Sequence, residues 1–186
     1  LTELAGELAV HGLEVGMDGP QGSTVGGALA VGRSALRRRR VGQIADVLLQ
    51  ADCVGADGVA FTAGGPTVKN VTGYDLCRLL VGSLGTLAVM EKVWLRLKPI
   101  PASIRVLEVD PLEAREAAEL AVAAGRRSSA RAVALVGPEQ GSDEKNSDPW
   151  RLVVEFAGET EATDADANWL AAERPAKAGN EASVDA

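Results

Sequence analysis

With 186 residues, 46% hydrophobic, 24% charged and only 3% aromatic, the chain can bury one good core or two small ones, packed on small residues rather than rings. Its net charge of −7 runs against a nucleic-acid or anionic-membrane partner, since both demand a surplus of Lys and Arg. No apolar run is long enough to span a bilayer, and no basic-then-apolar leader is read at the start.

Leu1 to Gly12 has the pattern of an amphipathic helix, with Thr2 as cap, Leu4, Ala5 and Leu8 on one face, and Gly12 as stop. His11, at its end, reads as a surface or dipole-favoured residue rather than a catalyst. The chain begins without a methionine, and we expect it to be a fragment. Gly22 to Gly32, GSTVGGALAVG, predicts a short helix capped by Ser23 or Thr24. Its first turn contains Gly26 and Gly27, so its backbone N–H groups are open to an anion. The same glycines also fit a plain packing contact. The stretch is neither a Walker loop nor a GxGxxG fingerprint. Arg33 and Arg37 to Arg40 concentrate positive charge in what reads as a solvated run.

Asp46 to Ala63 predicts a hairpin turning at Gly55-Ala56-Asp57-Gly58. Lys69 and Asn70 follow the Gly64-Gly65-Pro66 break, either aimed at a ligand or simply at solvent. From Thr67 to Pro99 the chain carries its most informative stretch. Thr72 with Asp75 has the spacing of a reciprocal helix cap, Leu76, Leu79 and Leu80 share a helix face, and Gly82 supplies a left-handed end. From Gly85 the period becomes two, which predicts one long strand. Leu87, Val89, Val93, Leu95 and Leu97 face one way, and Met90, Lys92, Trp94, Arg96 and Lys98 the other. Glu91 then falls on the apolar face unless a bulge turns it outward. Between helix and strand, Gly82-Ser83-Leu84-Gly85-Thr86 allows close backbone approach and offers two hydroxyls.

Two prolines, Pro99 and Pro101, break the chain. A second pattern follows: a strand at Ile104 to Val109, a helix capped at Asp110-Pro111-Leu112-Glu113 and running to Gly125, strands at Arg131 to Val136 and Arg151 to Ala157, and a helix at Thr160 to Glu173. The loop GPEQGSDEKNSDP has no apolar anchor. This order suits a small antiparallel sheet covered by helices, and residues 174–186 lack periodicity.

The stretch VKNVTGYDLCRLLVGSLGTLAVMEKVWLRLKP resembles the second half of the flavin-binding domain of the FAD-linked oxidase family, the vanillyl-alcohol oxidase or PCMH-type fold. STVGGALAVGRSALRRRRVGQIADVLLQADCVGADGV resembles the part that precedes it. Within the family the likeness is nearest to the FAD-binding small subunit of glycolate oxidase. The resemblance implies an α+β protein: residues 1–101 as the second part of a PCMH-type FAD-binding domain, an antiparallel sheet flanked by helices, then residues 102–173 as part of a small α+β cap or substrate domain; residues 174–186, without periodicity, are expected to be a disordered tail. It departs from the family at Ala88, where glycine is usual, and at Val41, where an aromatic is usual. In that family a further subdomain carrying the pyrophosphate loop lies upstream.

FAD is the cofactor this resemblance implies. Its contacts would come from Thr24, Val25, Gly26, Gly27 and Ala28, from Arg40 and Gly42 with Arg39 in support, and from Gly82, Ser83, Gly85, Thr86 and Val89. The implied activity is flavin-dependent oxidation of a 2-hydroxy acid, beside a larger flavoprotein subunit and an iron–sulfur subunit. No catalytic base is identified. A structural partner subunit that keeps the fold without the cofactor, and an unrelated α+β interaction domain, remain open alternatives. Cys53 and Cys77 read as small buried hydrophobes, which favours a reducing, cytoplasmic setting. One histidine and two separated cysteines do not supply four ligands for a structural metal.

Overall fold

The computed structural model describes residues 1–65, 74–137 and 150–179. The chain divides into two compact units, Leu1–Ile100 and Pro101–Ala186.

In the first unit the elements run α1 (Thr2–Val10), β1 (Leu13–Val15), α2 (Val25–Val31), α3 (Arg38–Val41), α4 (Ile44–Val47), β2 (Leu48–Gly55), β3 (Ala60–Gly64), α5 (Leu76–Leu80), β4 (Ala88–Leu95) and β5 (Leu97–Pro99). An antiparallel sheet in the order β3-β2-β4 forms its centre, and β1 pairs with β5 in a second, two-stranded sheet. The predicted hairpin is β2–β3. Asp57 accepts the Val59 N–H at 3.1 Å and Gly58 adopts φ 77°, so a turn that an ordinary L-residue resists is closed by glycine. The sheet buries Ala51, Cys53, Ala63 and Ala88 against Leu29, Ile44, Val47, Leu48 and Leu80. This is a core of small residues, as the composition demands.

Four expectations need correction here. Leu1, not Thr2, is the N-cap position of α1, without a side-chain bond. The helix of the central stretch starts at Leu76, with the Asp75 carboxylate accepting the Arg78 N–H at 3.0 Å. Asp75 is therefore the cap itself rather than the partner of a Thr72 cap, and Thr72, Lys69 and Asn70 lie outside the described residues. The long strand is two strands. It leaves the β2 sheet at Arg96, whose N–H bonds to Val47 O at 2.8 Å, and resumes as β5 against β1.

The strand's facing also changes partway. Asp52 pairs with Lys92, while Cys53 pairs with Met90, so Glu91 is the extra residue of a β-bulge. Before the bulge Ala88 and Met90 turn to the core, and after it Val93 and Leu95 do. Leu87, Val89 and Leu97 are exposed. A period-two reading cannot carry its face through a bulge, because one inserted residue inverts every side chain beyond it.

The second unit contains β6 (Ser103–Leu112), α6 (Ala114–Gly125), β7 (Ala130–Val136), β8 (Trp150–Gly158), α7 (Thr160–Glu173) and β9 (Lys177–Ala178). They build an antiparallel sheet in the order β7-β8-β6-β9, with α6 and α7 packed over Leu152, Val154, Phe156 and Val109. Phe156, Leu152 and Leu170 are fully buried, each contributing about 1.5–3 kcal/mol by leaving water. Asp110 does not cap α6, because β6 continues to Leu112 and Glu113 is the cap position. The register slips between Val109 and Leu112, which accommodates Pro111 in a strand. Nor is the segment after Arg174 without structure as far as residue 179. Lys177 and Ala178 pair with Glu108 and Leu107, Gly179 N–H bonds to Val106 O at 2.8 Å, and Lys177 meets Asp110 at 3.2 Å.

Candidate functional site

Helix α2 forms where predicted. The Thr24 hydroxyl accepts the Gly27 N–H at 3.0 Å, and Gly32 ends the helix at φ 71°. Both are dictated by residue type: a hydroxyl cap satisfies an orphan donor, and glycine enters the left-handed region without a Cβ clash. Ala28 and Leu29 bury the inner face. Gly26 lies open, since a Cβ there would meet nothing within 4 Å.

The Gly82–Thr86 turn packs on the far end of this helix. Gly82 N–H bonds to Leu29 O at 3.0 Å and Leu84 N–H to Ala30 O at 2.8 Å. Both acceptors lie in the last turn of α2, where carbonyls outnumber helical donors, and Leu29 O also takes the Gly32 N–H at 3.1 Å. The contact is tight enough that a Cβ on Gly32 would lie 2.7 Å from the Gly82 Cα. Gly82 and Gly85 adopt φ 83° and 73°, and the Thr86 hydroxyl donates to Ser83 O at 2.7 Å. The fold thus joins the two glycine motifs, 50 residues apart, through backbone alone.

The expected contact residues are distributed as follows. Gly82, Ser83, Gly85 and Thr86 form the turn, and Thr24, Val25, Gly26, Gly27 and Ala28 form the opposite end of the same short helix. That end lies about 9 Å from Ala30 along the axis at 1.5 Å per residue. Val89 is 68% exposed on β4, opposite Val54. Arg40 and Gly42 belong to α3 and its cap. There the Lys98 ammonium donates to Arg40 O at 2.6 Å, which ties this corner to β5. Arg39 is exposed. Arg37 is held elsewhere, 3.3 Å from Asp18, so the basic run is not uniformly solvated. Ala88 is 7% exposed and packs in the core. Its methyl fills the sheet interior opposite Gly55. Glu91 is exposed on its bulge.

Sequence reasoning named Val89 as a contact but not the other exposed aliphatic residues of these elements. Val31, Leu79, Leu84, Leu87 and Val89 are all exposed aliphatics, drawn from α2, α5, the turn, the residue before β4 and β4 itself. The available signal was the leucine between two glycines in Gly-Ser-Leu-Gly-Thr. Exposed aliphatic side chains in the same stretches as open glycines and hydroxyls suit a planar ligand with an apolar body and a polar edge. In the second unit a cavity of about 290 Å³ lies between α6 and α7, lined by Glu116, Glu119, Trp169 and Arg174 among others. Three of its charged residues are engaged in ion pairs, Arg174 with Glu116 and Glu119 with Arg115.

No family model matches the chain. Over 91 residues it is 41% identical to D-lactate dehydrogenase of Archaeoglobus fulgidus, covering 49% of this chain and 20% of that protein. Over 79 residues it is 38% identical to glycolate oxidase subunit GlcE of Escherichia coli, covering 42% of this chain and 23% of the relative. The chain therefore spans about a fifth of the length of these curated relatives. Among solved structures, an alkyldihydroxyacetonephosphate synthase superposes with a TM-score of 0.71 at 18% identity, over 95% of this chain and 39% of that one. That likeness shows the fold, which is α+β of the PCMH type, as the resemblance implied. Among the described residues no helix is long and apolar enough to cross a membrane. The chain is thus similar in sequence, over about half its length, to a D-lactate dehydrogenase and a glycolate oxidase subunit, and similar in fold, over nearly all of it, to an alkyldihydroxyacetonephosphate synthase.

Proposed function

We propose that this chain is a flavin-holding segment of an FAD-dependent oxidoreductase acting on a 2-hydroxy acid. The observation that carries the reading is the union of α2 with the Gly82–Thr86 turn, where Gly82 N–H meets Leu29 O at 3.0 Å, with Val31 and Leu84 exposed beside it. In this reading the turn and the start of β4, with Gly82, Ser83, Gly85, Thr86 and Val89, support the ring system. Thr24 to Gly27 line the approach at the other end of α2, with Ala28 packed beneath them in the core, and the corner of Arg40 and Gly42 contributes positive charge. Bound flavin supplies a two-electron acceptor for the substrate carbon. The protein's own part is to exclude water and fix orientation: glycines admit the ligand to the backbone, and aliphatic side chains cover its apolar body.

The second unit, in the same reading, is part of a cap or substrate domain. The partners are a larger flavoprotein subunit and an iron–sulfur subunit, by analogy with a relative named as a glycolate oxidase subunit. A reducing, cytoplasmic setting belongs to the proposal as well and rests on two free, buried thiols, Cys53 and Cys77.

The test is a visible absorption spectrum of the purified chain before and after loading with FAD and desalting. Retained flavin bands support the reading. Their absence here, and equally in a version extended upstream of Leu1, overturns it in favour of a cofactor-free structural partner.

A further inference from the structure

An edge strand turns a row of N–H and C=O groups outward, ready to pair with another chain, and folded proteins guard such edges with charge, proline or a bulge. Among the described residues the edge strands are β1, β3, β4, β5, β7 and β9, and all but β3 are guarded. β4 carries the bulge at Glu91 with Lys92 beside it. β1 contains Glu14, and β5 contains Lys98 and Pro99. β7 slips its register at Arg131, and β9 contains Lys177. Around β3 the run from Gly58 to Gly65, GVAFTAGG, has neither charge nor proline, and its register with β2 is unbroken from Ala60 to Gly64.

Pairing parity fixes which of its groups are free. Gly55 N–H bonds to Val59 O at one end of the hairpin and Gly65 N–H to Leu49 O at the other, both at 3.0 Å. The odd-numbered residues of β3 therefore turn their backbone groups to β2, and Ala60 and Thr62 turn theirs outward. Both are exposed, and beside them Val59 is 58% and Phe61 38% exposed. Helix α5 meets the strand beyond them, where Cys77 Sγ lies 3.5 Å from Ala63 O.

We propose that β3 is a dimer interface: two copies of this chain join antiparallel across this edge, about a two-fold axis at Phe61. In that register Ala60 of each copy exchanges hydrogen bonds with Thr62 of the other, and the two Phe61 side chains meet as a cross-strand pair. The occupant is a strand, because the free groups are backbone donors and acceptors at strand spacing. It is a second copy because the edge is its own complement. Uncharged strand meets uncharged strand, ring meets ring, and one two-fold satisfies both free residues at once. Each Asp57 falls opposite Gly65 of the other copy, so the tip carboxylates are not brought face to face. The inference is independent of the flavin reading.

The test is sedimentation velocity on the full chain over a range of concentrations, with circular dichroism to show that each variant folds. The parent should form a dimer that dissociates on dilution. Phe61→Lys sets two ammonium groups across the axis, and Ala60→Pro removes an outward donor while sparing the bonds to β2. Each should weaken the dimer about 10-fold or more. Ala56→Lys adds the same charge at the exposed hairpin tip and should leave the dimer as it is. A parent that stays monomeric overturns the inference, whichever other strand the edge accepts. So does a dimer that survives both edge variants, or one that Ala56→Lys weakens equally, since net charge then decides. If the edge variants fail to fold, cross-linking decides instead. With oxidised glutathione, Phe61→Cys should give a covalent dimer, because the Cα atoms of a pair at the axis lie about 4.5 Å apart, within disulfide reach. Val59→Cys, opposite Ala63 of the other copy, should not. The parent, whose Cys53 and Cys77 are buried, gives the background. No cross-link at position 61, or an equal one at 59, overturns the interface.

Discussion

Gly32 and Gly82 approach so closely that a Cβ on the first would lie 2.7 Å from the Cα of the second. The contact joins the end of α2 to the turn before β4, and it has no room for a side chain. It converts two separate glycine-rich motifs into one surface.

Gly32→Ala should therefore be costly. The alanine would sit at φ 71° and would also collide with backbone that has no flexible end to yield. Together these effects should remove about 1–3 kcal/mol of stability. Gly26→Ala is the matched control. It lies inside α2 with open space around it, so it should leave stability unchanged or raise it by about 0.5–1 kcal/mol. Thermal unfolding of both variants, followed by circular dichroism without ligand, checks the pair. Similar melting temperatures for the two would mean that the motifs are not in contact.

Glu91 makes a second test. If the strand alternated without interruption, Glu91 would occupy an apolar position and Glu91→Leu would stabilise the protein by about 1.5–3 kcal/mol. On its bulge the residue is exposed, and the substitution should change stability by less than about 0.5 kcal/mol. Urea unfolding midpoints decide between the two.

That bulge also marks the limit of what the sequence reveals. Helix α2, the β2–β3 hairpin, the turn at Gly82 and helices α6 and α7 are legible because local chemistry decides them: hydroxyl caps, glycines at positive φ, a Gly-Ala-Asp-Gly turn, apolar spacing. The facing of β4 is not legible, because it depends on which residue is passed over in pairing with β2. Leu87 and Val89 read as sharing the apolar face with Val93 and Leu95 for that reason, and Ala88, the residue actually buried, read as a possible obstacle to a ligand. Strand β9 is missed on similar grounds, since Lys177 and Ala178 have no strand pattern of their own and are recruited by the free edge of β6. Asp110-Pro111 has a good helix-start sequence, yet β6 captures it through pairing with β8. At the candidate site the glycines are readable singly, whereas their meeting through Leu29 and Ala30 carbonyls is a tertiary fact.

Cys53 and Cys77 yield a prediction about reactivity. Burial raises the pKa of both thiols, and the nearby carboxylates of Asp52 and Asp75 respectively push in the same direction. Both are free and buried, and Cys77 donates weakly toward the carbonyls of Leu49 and Ala63. In the folded chain at pH 8 neither should react appreciably with Ellman's reagent, since the thiolate is the nucleophile. In denaturant both should titrate at once. A thiol that reacts fast in the native protein would show that the first core opens locally.

Asp166 anchors the second unit. Its carboxylate on α7 accepts the Ser129 N–H at 2.9 Å and the Ser129 hydroxyl at 2.7 Å, and Arg127 Nε at 2.7 Å. Arg127 in turn lies over the Trp169 ring, 4.8 Å from its centroid. Burial raises the Asp166 pKa, but the bonds from Ser129 and Arg127 outweigh it and leave the value lowered. The folded-state value lies below the unfolded one, so the stability this group contributes is complete above the unfolded value, about 4. It is lost as pH falls through the folded value. Asp166→Asn should cost about 1–3 kcal/mol at neutral pH, because the amide keeps the shape but neither the charge nor all the acceptor capacity. The deficit relative to the parent should shrink below pH 4, where the parent's own carboxylate becomes protonated. Urea midpoints at pH 7 and pH 3 provide the comparison. A deficit of equal size at both would mean that Asp166 acts through shape alone, and its hydrogen bonds from Ser129 and Arg127 would then be worth no more to a carboxylate than to an amide.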